Sequence, residues 1–149
     1  MRLADDIVLS AGYQLLAGAK TTLRKLQESG VTLGLVSGAM EGAAHIKLMP
    51  ANLNRYFVFG AYGSDSPNRT EVTRIAIANA SQFHENLSLN HVYVVGDTPR
   101  DVAAANACGA VSVAVASGQF SVDELRAAGG AHVLSSLENH FPCFQRATR

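Results

Sequence analysis

The chain has almost no net charge, little cysteine and no long apolar run, and each shortage removes a class of protein. Twelve Lys and Arg balance twelve Asp and Glu over 149 residues, so neither nucleic acid nor a membrane surface is indicated as a partner. The two cysteines, Cys108 and Cys143, lack framework spacing and are read as reduced thiols. No run of about eighteen apolar residues occurs, and no basic segment followed by an apolar one opens the chain; both point to a cytoplasmic protein. His45, His84, His91, His132 and His140 show no metal-ligand spacing. A Walker-type glycine loop and a G-x-S-x-G elbow are missing as well, as are internal repeats and linkers. With 48% hydrophobic and 16% charged residues, what remains is one packed domain over residues 1–149.

What is present alternates between apolar runs and helical patterns, the signature of parallel α/β layering. Ala19, Leu23 and Leu26 recur at helical spacing, and Gly30 sits where a glycine ends a helix. Val31 to Val36 reads as a buried strand leaving through Ser37-Gly38, followed by a helix over Ala39 to Leu48. A short aromatic strand is expected at Tyr56 to Phe59. Asn68 and Glu71 have capping-box spacing before a helix carrying Val72, Ile75 and Ala76. Further strands are expected at Val111 to Val115 and His132 to Leu134, with helices opened by Ser121 with Glu124 and by Ser135 with Glu138.

The densest information lies in Val92 to Ala110, VYVVGDTPRDVAAANACGA. Val92 to Val95 suit a strand buried on both faces, Gly96 breaks it, and Pro99 suits the first turn of a helix. Asp97 and Asp101 then stand at the carboxyl end of a buried strand, where open α/β sheets bind ligands. An aspartate in a first helical turn also serves as a cap. As a pair, however, the two suit Mg²⁺ beside a phosphate at the helix N-terminus. Ser37, with Gly38 allowing close backbone approach, has a hydroxyl suited to a phosphate oxygen.

This segment resembles the fourth signature of the haloacid dehalogenase (HAD)-like hydrolase superfamily, whose members are mostly Mg²⁺-dependent phosphatases. Val111 to Gly118 continues the resemblance to phosphoglycolate-phosphatase-like members, and LGLVSG resembles their second signature, with Ser37 as its hydroxyl residue. The third signature, a Lys or Arg, is best matched by Arg69, with Arg74 as competitor. Tyr13 to Leu26 resembles the linker and helix that come after the inserted cap domain. The resemblance therefore covers only the C-terminal part of the core domain.

The first signature is a strand ending in Asp-x-Asp, whose first aspartate attacks phosphorus while the second acts as acid and base. This chain has none. Asp5-Asp6 is the nearby acidic pair, but adjacent residues of a strand point to opposite faces. Loss of that central strand implies two unpaired edges, on the strands at Val31 to Val36 and Val92 to Val95.

The expectation is an α/β, three-layer Rossmann-like parallel sheet, a partial core domain without the usual nucleophile strand and cap. The resemblance implies Mg²⁺-dependent hydrolysis of a small phosphorylated metabolite. Asp97 and Asp101 would serve the metal, Ser37, Gly38 and Arg69 the phosphate, with Ser37, Arg69, Asp97 and Asp101 as catalytic residues. Turnover by the chain alone would be weak or absent, with an upstream segment or oligomeric partner completing the site. A non-catalytic phosphate- or Mg²⁺-binding relative and a receiver-like signalling module are the rivals.

Overall fold

The computed structural model describes residues 7–10, 18–48, 53–116 and 119–138. Six parallel strands alternate with helices: β1 (Ile7–Ser10), α1 (Ala19–Glu28), β2 (Thr32–Val36), α2 (Glu41–Leu48), β3 (Phe59–Ala61), α3 (Arg69–Ala80), β4 (Val92–Gly96), α4 (Pro99–Ala107), β5 (Val111–Val115), α5 (Val122–Ala127) and β6 (His132–Leu134). The strand order is β3-β2-β1-β4-β5-β6. In such a sheet the strand order reverses between β1 and β4, and the carboxyl edge there is the usual ligand crevice. The α/β, three-layer expectation holds. The receiver-like rival does not, since that module has the order 2-1-3-4-5.

Two apolar layers sandwich the sheet, and single strands feed both. On β4, Tyr93 and Val95 pack with Leu23 and Leu26 of α1 and Ala44 of α2. Val92 and Val94 pack instead with Val72, Ala76 and Ala80 of α3. That is the period of two applied to a strand with no polar face, and it explains the unbroken Val-Tyr-Val-Val run. Burial of Leu23 and Leu26 is complete and contributes roughly 1.5–3 kcal/mol for each side chain. Gly30 ends α1 with φ +85°, and the Val31 N–H returns to the Leu26 carbonyl at 3.0 Å. This is the glycine-closed helix end that the sequence suggests.

Two local expectations are displaced. Tyr56 belongs to a single 3₁₀ turn, Asn54–Tyr56, and the strand begins at Phe59. Tertiary pairing decides here over aromatic content: Phe59 to Ala61 align with Gly34 to Val36 of β2, and the Phe59 ring fills the space a Cβ at Gly34 would need. Near the end, residues 135–138 form a bend and turn rather than a helix. The Thr22 hydroxyl donates to the Leu137 carbonyl at 2.9 Å, tying this turn to α1. The rest of the expected last helix, including His140 and Cys143, lies outside the described residues.

The centre of the sheet corrects the expectation of two unpaired edges. Ile7 to Ser10 lie between β2 and β4, with Ser10 aligned to Leu35 on one side and Val95 on the other. The strand begins after Asp5-Asp6, and Ala11-Gly12-Tyr13 come next in the sequence. The central place is therefore filled, but by a strand without an Asp-x-Asp signature. From Ser10 to α1 only residues 11–18 intervene, far too few for an inserted cap domain.

Candidate phosphate site at the carboxyl edge

The turn after β4 is held by Asp101. Its Oδ2 accepts from the Asp97 N–H at 3.1 Å, the Thr98 N–H at 3.2 Å and the Thr98 hydroxyl at 3.1 Å. The Asp101 N–H donates back to Thr98 Oγ1 at 3.2 Å, completing a capping box with Pro99 in the first turn. Gly96 is required because a Cβ there would overlap Asp101. Of the donors expected to serve a phosphate at the α4 N-terminus, the Thr98 N–H is thus taken by the Asp101 carboxylate and the Asp101 N–H by the Thr98 hydroxyl. Thr98 and Gly96 went unassigned in the sequence, although Thr98-x-x-Asp101 has the spacing of a capping box with Asp in place of Glu.

Asp101 is 6% exposed, and its other oxygen, Oδ1, faces Arg69 Nη1 at 3.6 Å. That separation permits Coulomb attraction without a hydrogen bond. Arg69 Nη1 is buried and has no hydrogen-bond partner among the described residues. A buried guanidinium N–H without an acceptor costs on the order of 1–3 kcal/mol, so the site is incomplete without one. Arg74, the competing cation, turns to the surface and pairs with Glu71 at 2.7 Å. It does not join this cluster.

Asp97 is half-buried beside the pair. Burial first, then the charge of Asp101, push its carboxyl above the ordinary range, while its own backbone hydrogen bond and Arg69 pull the other way. The crevice thus holds a carboxylate whose negative charge is under-compensated.

From the far side of β1, β2 delivers Ser37 and Gly38. Ser37 and Asp97 each stand two residues beyond the strand partners of Ser10. They share a level of the sheet on strands two spacings, roughly 10 Å, apart. The Ser37 N–H donates to the Ala61 carbonyl, and its Oγ accepts from the Ala39 N–H, both at 3.0 Å. The hydroxyl proton is left for another acceptor. Gly38 lies over the guanidinium: a Cβ there would sit 3.5 Å from Arg69 Nη2. Gly63 closes the loop from behind, its N–H donating to the Ala39 carbonyl at 2.8 Å and its missing Cβ leaving room for the Gly38 carbonyl. Ser37, Gly38, Arg69, Asp97 and Asp101 therefore meet at one edge. Neither Asp5 nor Asp6 is among the described residues.

No three His, Cys, Asp or Glu side chains among the described residues are grouped to hold a metal ion. Mg²⁺ commonly takes one or two carboxylates and keeps several waters. Asp97, its carboxyl raised first by burial and then by the neighbouring charge of Asp101, fits that demand directly. Asp101, with Oδ2 committed to three donors, fits it only through Oδ1 or a water.

The fold is that of HAD-like α/β domains. Residues 67–140 match the family model described as HAD-hydrolase-like, and the chain resembles the C-terminal part of that core domain. Among solved structures it is similar to a predicted phosphoglycolate phosphatase from Haemophilus somnus, at 17% identity and TM-score 0.73, covering 90% of this chain and 57% of that one. A predicted phosphatase from Clostridium acetobutylicum matches at 22% identity and TM-score 0.72, covering 81% and 55%. A β-phosphoglucomutase from a Pyrococcus species matches at 18% identity and TM-score 0.71, covering 88% and 55%. The chain thus spans little more than half of the length of these structures. No curated protein matches it. No helix among the described residues is long and apolar enough to cross a membrane.

Proposed function

We propose that the carboxyl-edge crevice binds the phosphate group of a small phosphate ester, with Mg²⁺ held at Asp97 and, through water, at Asp101. The observation that carries this reading is the buried Arg69 Nη1, without a hydrogen-bond acceptor among the described residues and flanked by Gly38 and by two carboxylates that a metal would neutralise. An anion oxygen satisfies Nη1, the Ser37 hydroxyl donates a second bond, and Gly38 lets the anion approach. Mg²⁺, when bound, supplies charge neutralisation for the remaining phosphate oxygens. The parent chemistry is phosphoric monoester hydrolysis in a reducing, cytoplasmic setting, with Cys108 a free thiol.

Hydrolysis by this chain is weak or absent. Binding and polarising a phosphate do not replace an attacking carboxylate, and the sequence after the central strand, Ala11-Gly12-Tyr13, offers none. The test pairs an orthophosphate titration, monitored by NMR with and without Mg²⁺, with hydrolysis of p-nitrophenyl phosphate. Saturable binding tightened by Mg²⁺, with turnover at background, is expected. Turnover abolished by Asp5→Asn or Asp6→Asn would place the nucleophile in the N-terminal pair. Turnover indifferent to both but lost in Asp97→Asn would overturn the binding-only reading in favour of direct attack by water.

A further inference from the structure

Beside the edge strand β3 the fold opens a second cavity, of about 310 Å³, with Glu41 and His45 of α2 on one wall and Tyr62 and Asp65 on another. Asn79 lines it as well. Asn79 is roughly 15 Å along α3 from Arg69 at a helical rise of about 1.5 Å per residue, and none of Ser37, Gly38, Arg69, Asp97 and Asp101 is among the residues that line this cavity.

Its polar groups are fixed by a relay. The Asn54 side-chain N–H donates to the His45 carbonyl at 2.9 Å, which orients the amide and leaves Asn54 Oδ1 facing His45 Nδ1, also at 2.9 Å. His45 Nε2 stands 3.2 Å from the Tyr62 hydroxyl and 3.9 Å from Glu41 Oε2, so phenol and carboxylate meet at one ring nitrogen. The hydroxyl occupies the space left by the missing Cβ of Gly60. Asp65 Oδ2 accepts the Tyr62 N–H at 2.8 Å, and Asn79 Nδ2 donates to the Gly60 carbonyl at 3.1 Å.

The groups that the cavity offers a ligand are mostly acceptors: the lone pairs of Tyr62 Oη, the Glu41 carboxylate, one oxygen of which lies 3.9 Å from His45 Nε2, and the second oxygen of Asp65. Among the described residues neither Lys nor Arg lines the cavity, and Phe57 to Phe59 supply an apolar wall on which Val58 is 58% exposed. We propose that this cavity binds a small organic cation, a protonated amine carried on an apolar body. The amine supplies the donors and charge that the cavity lacks, and the body covers the wall around Val58. The same negative field acts on Tyr62, whose phenol is held above its ordinary value by burial and then by Glu41 and Asp65.

The test titrates the ¹⁵N-labelled full chain with three probes of one shape: phenethylammonium, neutral 2-phenylethanol and anionic 3-phenylpropionate. The expected result is saturable shifts at Gly60, Tyr62 and the Asn79 side-chain amide with the ammonium. The alcohol should bind about fivefold or more weakly, and the carboxylate not at all. Glu41→Gln with Asp65→Asn keeps an acceptor for the Tyr62 N–H and removes both charges, so the ammonium should lose its advantage over the alcohol. Val58→Lys, at an exposed position that no hydrogen bond of the relay uses, should abolish ammonium binding with the fold intact. Equal binding of all three probes, shifts confined to other residues, or ammonium binding that survives Val58→Lys would overturn the proposal. Orthophosphate shifts at Arg69 report on the other crevice, so either site can fail without the other.

Discussion

Strands β1 and β4 lie side by side at the middle of one sheet, run parallel, and end at the same edge. They differ in the residues that leave that edge. After β4 comes a turn in which Gly96, Thr98 and Asp101 interlock and Asp97 is left half-buried in the crevice. After β1 comes Ala11-Gly12-Tyr13, with no acidic residue. Filling a place in the frame and bringing a reacting group to it are therefore separable. Four residues suffice to pair both neighbours and close the sheet, while the chemistry depends on the next two or three. A fold match alone cannot see this difference.

The largest expected effect comes from breaking the better-built side. Gly96→Ala forces a Cβ into Asp101. It should cost about 3 kcal/mol in urea denaturation, from overpacking and from the lost cap together. Gly42 is the control, since nothing lies within 4 Å of a Cβ there. Gly42→Ala in α2 should be neutral or stabilising by up to about 1 kcal/mol. If both variants stay within about 0.5 kcal/mol of the parent, the turn is looser than its hydrogen bonds imply.

Much of this was legible in the residues themselves. The Val-Tyr-Val-Val run, Pro99, and the Ser121 with Glu124 box each carry a local physical cause, and each element formed where that cause placed it. Two things were not legible. Ile7 to Ser10 is a short run behind two aspartates, and only the pairing on both sides makes it a strand, a tertiary effect without a local signal. The two roles of Asp101 were also hidden: capping and site chemistry both predict an aspartate there, and only the structure shows Oδ2 serving the cap while Oδ1 faces Arg69. The sequence already favoured Arg69 over Arg74, and the Glu71 pair shows where Arg74 goes instead.

A second, intermediate effect sharpens the comparison across β1 by asking how much each flank contributes to anion binding. Arg69→Ala removes a charged donor and should weaken orthophosphate about 10- to 100-fold, the equivalent of roughly 1.5–3 kcal/mol. Ser37→Ala removes a neutral donor and loosens the turn to Ala39, for about a 3- to 10-fold loss. Arg74→Ala should leave affinity unchanged in the same NMR titration. An Arg74→Ala loss as large as that of Arg69→Ala would mean that the anion sits on the exposed face of α3 instead.

The smallest effect separates the two aspartates of the turn by their pH behaviour. Asp97 has its carboxyl raised by burial and by Asp101, so the folded protein binds its proton more tightly than the unfolded chain does. Linkage then makes its stabilising contribution complete below the ordinary carboxylate range, and that contribution is lost as pH rises through the raised folded value. At pH 7 the ionised Asp97 is a burden on the fold. Asp97→Asn should therefore raise the thermal midpoint slightly at pH 7, and this advantage should disappear as the pH is lowered below about 4, where the parent carboxyl is itself protonated. The same variant should weaken Mg²⁺ binding in titration calorimetry, because it removes the anionic oxygen that is least committed to the protein. Asp101→Asn should do the opposite at pH 7 and lower the midpoint, since its carboxylate holds three donors and faces a buried guanidinium. A group that costs stability and gains affinity is one kept for a ligand. A fall in midpoint for Asp97→Asn at pH 7 would reduce it to a second cap, and the two sides of the crevice would then differ in architecture alone.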